Sequence, residues 1–411
     1  MVSATSSKTL NRQTIFLVVL IICSINFFEL QAIKGSAFRY VQFAFLLLAI
    51  VISMPYLFMK GGGFLTPVRL IFISAFISIF IASFTWDQTL IDSLGGTIPV
   101  LVWGVLFYLL HIAYPIEKIE RIVLGYGLLY LVLYFFQFTH PETGYFVKLE
   151  TVESSRGIVR IVFPGRGLFY FMSFMAINKL TTGQKNKWLW VVLSALGIIV
   201  TVMQVTRQFI GATMVIYAIH FLRGIALYKK VLVAVFIAGA IFVFLQTDNP
   251  IVRGLTDTTQ EQAEEDGTDN VRYRGAMFFL TDLSKTTFNR IFGNGVPYGE
   301  TSGYNRYYGW LIGNYGFWLA DVGIFAVYAM FGVFAVLGYF LIWIKSFFTK
   351  LPDEYQYLKY YLWFLLLTSL SSDTIYSSYD LIATVMIVYI FQVVSTKKPE
   401  PTPVLPVVNA Y

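Results

Sequence analysis

Long apolar runs separated by short polar turns repeat along the whole chain. They lie near 14–33, 40–59, 67–86, 94–113, 121–138, 164–180, 188–206, 208–223, 229–246, 316–344, 358–372 and 378–394. Each run is continuous rather than alternating. Most approach about 20 residues, the length of helix that crosses a hydrocarbon core of roughly 30 Å. Strands of a membrane barrel would be about 10 residues long and would alternate apolar with polar positions. Lipid offers no partner for a free N–H or C=O, and a helix satisfies its own. The pattern predicts an all-α fold, a polytopic transmembrane bundle of about 12 spans. The run at 316–344 exceeds one span and is expected to tilt or to include an interfacial turn.

Composition supports the same class. Of 411 residues, 57% are hydrophobic and 13% charged, against about 25% charged in soluble domains. Too few polar side chains remain to clothe a water-soluble globule of this size. The single cysteine, Cys23, excludes an internal disulfide or a cysteine metal cluster. The run behind Met1–Arg12 lacks a small-residue cleavage site, so it reads as a first span rather than a signal peptide. A net charge of +7 follows from positive-inside bias, and no nucleic-acid partner is expected.

Lys and Arg gather in alternate connections, among them Lys60, Lys118, Arg121, Lys185, Lys187 and Lys350. Their distribution predicts that both termini are cytoplasmic. Residues 1–398 then form one transmembrane domain, and the Pro-rich 399–411 a disordered cytoplasmic tail. Two connections on the outer face are long, at about 140–164 and about 246–315. In the second, Thr256–Asn270 is acidic and expected to be mobile. Val271–Ile291 has helical apolar spacing (Met277, Phe278, Leu280, Leu283), suited to a membrane surface. Long structured loops are commonly functional.

Sorting the basic residues by side changes the picture most. The cytoplasmic set is mostly lysine. The outer set is mostly arginine: Arg39, Arg156, Arg160, Arg166, Arg207, Arg253, Arg272, Arg274, Arg290 and Arg306. A guanidinium fork grips phosphate or carboxylate through two hydrogen bonds. An anionic ligand on the outer face is one reading, and solvated loop charges paired with nearby acids are the other. Arg207 lies in the short turn Val205-Thr206-Arg207-Gln208-Phe209, and Arg166 lies where Phe163-Pro164-Gly165-Arg166-Gly167 enters a run. A charge at such depth is costly without a partner, although snorkelling to headgroups is the alternative. Tyr298, Tyr304, Tyr307, Tyr308, Trp310, Tyr315 and Trp318 cluster late in the large loop. They form either an interfacial belt or a platform for sugar rings. No Asp-x-Asp pair, HExxH, P-loop or Ser–His pair of recognisable spacing stands on the outer side. No metal and no cofactor are expected.

With these residues in place, the chain resembles the bacterial O-antigen and exopolysaccharide polymerases of the Wzy type and the related O-antigen ligases. The resemblance lies mainly between Pro164 and Phe334. It rests on Arg166 after Phe163-Pro164-Gly165, on Thr206-Arg207-Gln208, and on Arg274 followed by Gly293-Asn294-Gly295. It also rests on Leu311-Ile312-Gly313-Asn314-Tyr315 followed by Ala320-Asp321-Val322-Gly323-Ile324. The spacing of Arg156 and Gly167 fits an arginine–glycine pattern of the polymerases. Gly313 stands where the ligases carry a histidine, which favours polymerase over ligase.

The resemblance implies a GT-C-like bundle with a long helical external loop before the tenth span, in the bacterial cytoplasmic membrane. It implies transfer of a glycan from undecaprenyl diphosphate to a second lipid-linked repeat unit, with inversion and without a metal. Arg166, Arg207 and Arg274 would stabilise the diphosphates. Arg160, Arg272, Arg290, Tyr308, Asn314 and Tyr315 would bind substrate. Asp282, Glu300, Asp321 and Asp373 are candidate bases. The implied partners are undecaprenyl-diphosphate-linked oligosaccharides, the lipid bilayer, a chain-length regulator and a flippase. The rival readings are an O-antigen ligase and, in another class, a lipid-linked oligosaccharide flippase or other 12-span transporter.

Overall fold

The computed structural model describes residues 7–33, 36–146, 161–183, 185–223 and 270–396. Regular structure among them is helical throughout. In chain order the helices are α1 Ser7–Ser24, α2 Ser36–Ser53, α3 Leu65–Trp86, α4 Leu90–Leu101, α5 Val105–His111, α6 Ile116–Thr139, α7 Arg166–Thr181, α8 Lys187–Met203 and α9 Arg207–Leu222. After the second long connection come α10 Val271–Thr281, α11 Thr287–Phe292, α12 Gly303–Tyr315, α13 Ile324–Phe348, α14 Tyr357–Thr368 and α15 Leu381–Thr396. The expected run at 229–246, most of the loop at 140–164, Thr256–Asp269 and the tail at 399–411 lie outside the described residues.

Among the described residues, five helical stretches are long and apolar enough to cross a membrane: Phe38–Tyr56, Leu65–Trp86, Leu90–His111, Ile116–Thr139 and Ile324–Phe348. Leu10–Ser24, Lys187–Met203 and Leu381–Thr396 are shorter apolar helices. These helices are compatible with a multi-pass membrane protein. The apolar runs locate them well, with three departures. The first run stops at Ser24, because Asn26, Phe27, Phe28 and Glu29 all hold φ between 51° and 55°. Four left-handed non-glycine residues in succession end an α-helix and cost roughly 1–2 kcal/mol each. The run at 94–113 is interrupted by a tight turn at Val102–Gly104, three residues after Pro99. The run expected at 316–344 becomes helical only at Ile324, after a short turn at Leu319–Asp321.

Two helices form the centre. Every residue of α7 from Arg166 to Asn178 is buried, as is every residue of α15 from Leu381 to Gln392. Helices α6, α8, α14 and α15 surround α7. At one end of the bundle the start of α7 meets the start of α15, since Gly167 N–H donates to Tyr379 C=O at 3.1 Å. At the other end, Asn178 donates to the carbonyls of Asp353 and Glu354 at 3.0 and 2.9 Å. There Tyr389 donates to Tyr114 C=O at 2.5 Å, and Lys179 pairs with Glu120. Consecutive long helices thus run in opposite senses between two faces.

The large loop carries its own helices, and they pack on the bundle rather than float. Helix α13 breaks at Gly332, which holds φ of 77° and ψ of −174°. The break frees carbonyls of the preceding turn, and the strand-like stretch Asn294-Gly295 takes them. Asn294 N–H donates to Ala329 C=O and Gly295 N–H to Met330 C=O, both at 2.9 Å. A side chain at Gly293 would strike Met330 O at 2.2 Å, so only glycine admits this approach. The spaced glycines of the loop therefore serve packing. Val271–Ile291 is helical as its apolar spacing predicts, in two pieces, α10 and α11. Phe279 and Leu283 are buried, and Met277 and Leu280 are exposed. Phe279 and Phe278 meet the ring of Phe317, which holds α10 against the bundle.

Candidate functional site

The end of the bundle where α7, α9 and α15 begin holds the densest group of buried charges. Arg166 is the first residue of α7 and is 5% exposed. Its Nη2 donates to Asp380 Oδ2 at 2.6 Å and its Nε to Asp380 Oδ1 at 3.4 Å. Asp373 Oδ1 lies 3.5 Å from the same Nη2. The guanidinium carbon stands 4.3 Å from the centre of the Phe209 ring, on α9.

The local sequence explains how this centre is assembled. A Cβ at Gly167 would lie 2.6 Å from Asp380 Cα. Only glycine lets the start of α7 come this close to the start of α15, which brings Arg166 and Asp380 together. A cation at a helix N-terminus meets the positive end of the helix dipole. Arg166 and Arg207 both open their helices, and Asp380 and Asp373 compensate the first. An unpaired charge at this depth would be strongly destabilising.

Further contacts extend the centre towards the loops. Ser371 donates to Gln208 Oε1, tying the turn after α14 to the start of α9. Tyr376 donates to Leu319 C=O at 2.8 Å, and Leu319 N–H donates to Tyr308 Oη at 2.9 Å. Burial pushes the Tyr376 phenol well up, and Asp373, Tyr308 and Asp321 push the same way. Tyr376 therefore stays protonated and keeps that bond. Tyr379 donates to Glu29 Oε1 at 3.1 Å.

The expected site residues divide into groups. Arg166 is inside the centre, with its charge engaged by carboxylates. Arg207 is half-buried at the start of α9, two positions before the Phe209 ring that covers Arg166. Its turn is strained, since Val205 holds φ of 51°, a β-branched residue in the left-handed region. Such strain persists only where the surroundings impose it, at roughly 1–3 kcal/mol. Tyr308 joins the group through Leu319. Arg272, Arg274 and Arg290 are exposed on α10 and α11, and none contacts Arg166 among the described residues. Asn314 donates only to Trp310 C=O in its own helix, at 2.8 Å. Tyr315 is exposed and stacks on Phe317 with ring centres 5.4 Å apart. Arg160 and Arg156 lie outside the described residues.

Of the candidate bases, Asp373 lies at the centre, its side chain 30% exposed. Asp321 lies near Tyr376 and Tyr308. Asp282 accepts from Thr281 Oγ1 at 2.8 Å on the exposed end of α10, and Glu300 is exposed. The partners Asp380 and Tyr379 were not anticipated. The sequence does carry a signal for Asp380: an acid at the third position of the apolar run at 378–394, as Arg166 stands at the third position of the run at 164–180.

The loop aromatics form an ordered stack. Trp86 from α3 stacks on Tyr304 at 4.6 Å and on Tyr307 at 5.4 Å, and Tyr307 stacks on Trp310 at 5.8 Å. Lys285 Nζ sits 4.0 Å from the Trp86 ring centre. The inner end is buried at Tyr304 and the outer end exposed at Trp310.

No protein-family model matches this chain, and no curated protein sequence matches it. The class rests on the fold and site: an all-helical chain, compatible with a multi-pass membrane protein, carrying a buried arginine–carboxylate centre at one face.

Proposed function

We propose that this protein is a polysaccharide polymerase of the Wzy type. It joins undecaprenyl-diphosphate-linked repeat units at the outer face of the bacterial cytoplasmic membrane. In this reading the chain crosses the bilayer about 12 times, with both termini cytoplasmic and the face bearing Arg166 outward. One observation carries it. The arginine-bearing starts of α7 and α9 meet Asp373, Asp380 and the Tyr308–Asp321 part of the large loop at a single face of the bundle. Cations and helix N-termini gathered at one face favour a diphosphate.

The acceptor hydroxyl oxygen attacks the anomeric carbon of the donor glycan from the side opposite the diphosphate. The anomeric C–O bond breaks, and its electron pair passes to the departing diphosphate oxygen. The hydroxyl proton passes to a carboxylate. Asp373 is the best-placed base, since it combines a fixed position beside Arg166 with solvent access. Arg207 supplies the charge that meets the diphosphate. Arg166, already engaged by Asp380, holds Asp373 and the start of α9 in place. Arg274, exposed on α10, serves the glycan-bearing side, where the exposed Trp310 at the outer end of the aromatic stack offers a flat face for sugar rings.

The test is incubation of the purified protein with lipid-linked repeat units alone. A ladder of products supports polymerisation. Transfer only to added lipid A–core identifies a ligase, and the absence of both products excludes glycosyl transfer in favour of transport.

A further inference from the structure

A second polar site lies beside the first, on the other side of Tyr379. Helices α1, α2 and α4 and the start of α15 enclose a cavity of about 320 Å³. Its lining has two characters. One part is polar, with Arg39, Glu29, Asn26, Tyr298 and Tyr379. The other is apolar, with Phe43, Leu46, Pro99, Val102 and Ile382.

The polar part is built rather than incidental. Arg39 Nη2 donates to Tyr298 Oη at 2.6 Å, and its guanidinium carbon lies 5.6 Å from the Tyr298 ring centre and 5.7 Å from that of Phe43. Among the described residues no carboxylate pairs with Arg39. Tyr298 comes from the large loop and lies against Gly95 and Gly96 of α4, where a Cβ at Gly96 would meet Tyr298 Cβ at 2.9 Å. The left-handed turn at Asn26–Glu29 supplies two of the lining residues. Glu29 is engaged by Tyr379, the residue next to Asp380.

We propose that this cavity holds the phosphate head of a single-chain polyprenyl lipid, with Arg39 and Tyr298 on the phosphate and the first isoprene units along Phe43, Leu46, Pro99 and Val102. A guanidinium with no carboxylate partner among the described residues at the polar end and hydrocarbon at the other match an amphiphile with an anionic head. The volume is at the small end for ligand pockets, and at about 30 Å³ per water-sized group it admits a phosphate and one or two isoprene units. The choice of a polyprenyl chain rests on the polymerase reading, and the site supplies that reaction with a place for a second lipid carrier.

The test measures equilibrium binding of radiolabelled farnesyl phosphate to the purified full-length protein in detergent. Wild type is expected to bind saturably. Arg39→Ala is expected to weaken binding by about tenfold or more, the worth of one charge-assisted hydrogen bond, and Arg39→Lys to recover part of the loss. Leu46→Phe, which fills the apolar part and leaves Arg39 intact, is expected to weaken binding too. Glu29→Gln, which removes a like charge, should tighten it. Undiminished binding to Arg39→Ala overturns the proposal. So does equal competition by farnesol, by inorganic phosphate or by phosphatidylglycerol, which would indicate respectively an apolar pocket, a simple anion site or a general phospholipid site. A protein that forms no glycan ladder yet binds the probe in an Arg39-dependent way refutes the polymerase reading and leaves this site standing.

Discussion

Arg166 and Asp380 are separated by 214 positions and meet at 2.6 Å, each opening a central helix or standing immediately before one. The pair is buried on both sides, with side chains 6% and 1% exposed. It couples the beginnings of α7 and α15, and through Asp373 and Phe209 it reaches the turn after α14 and the start of α9.

Removing Asp380 leaves the buried Arg166 only the more distant, partly exposed Asp373, at 3.5 Å. Asp380→Ala is expected to destabilise the protein by about 3–5 kcal/mol. Replacing both, as Arg166→Met with Asp380→Leu, is expected to recover most of that stability while chain growth remains absent. Thermal unfolding in detergent, followed by fluorescence-detected size exclusion, distinguishes the two. Equal stability of Asp380→Ala and wild type would show that the pair does not hold the fold.

Gly167 is the contact that permits this pairing. Gly167→Ala places a methyl 2.6 Å from Asp380 Cα and 2.9 Å from its carbonyl oxygen. Backbone must move, at an expected cost of about 1–3 kcal/mol. The corresponding change at Gly125, inside α6 with open space around it, should not lower the melting temperature, since alanine favours a helix interior by about 0.5–1 kcal/mol, and serves as the control.

Arg207→Ala and Arg274→Ala are expected to abolish chain growth while the protein still inserts and single repeat units accumulate. Arg207→Lys keeps the charge and loses the planar fork, so reduced growth is expected. Normal polymer length in cells carrying Arg207→Ala would remove the diphosphate role.

Asn294 sits in a buried network, accepting from Asn289 Nδ2 at 3.0 Å and donating to Ser284 Oγ and Ala329 C=O, each at 3.0 Å. Asn294→Leu leaves several of these groups unsatisfied, at about 1–3 kcal/mol each. The large loop should loosen before the bundle does. Limited proteolysis checks this: cleavage confined to 284–320 is expected, and an unchanged digestion pattern would show that the network is dispensable.

Orientation can be tested through cysteine labelling, since Cys23 is buried. Asp87 and Lys350 are exposed at opposite ends of the bundle. In intact cells a membrane-impermeant maleimide is expected to label Asp87→Cys and not Lys350→Cys. The reverse result would invert the topology.

Much of the architecture was legible in the chain. The stretch Leu65–Trp86 carries one charge, Arg69, near its start and only small hydroxyl residues beyond it, so its apolar length alone marks a helix able to cross a membrane. The Arg166 and Arg207 turns were legible as unusual, because a cation between apolar runs must find a partner. Other features were not. The left-handed turn at Asn26–Glu29 contains no glycine to announce it. In α10 the apolar positions surround the helix, so periodicity does not say that Phe279 and Leu283 are the ones that bury. The apolar run from Gly316 hides a turn at Leu319–Asp321, after which Ile324 N–H donates to Ser369 C=O at 2.7 Å, a contact 45 positions away that no local run encodes.

What the sequence alone determined was helical class and the approximate place of the apolar helices among the described residues. These depend on local runs and on the properties of single side chains. Which charges meet was decided by the tertiary structure. Asp380 looked like an ordinary acid beside a span until Gly167 brought α7 against it. Arg39 looked like one outer arginine among ten until Tyr298, 259 positions away, lay beneath its guanidinium. Pairing between distant positions depends on how helices pack, and helix packing depends on shape in three dimensions that no local run encodes.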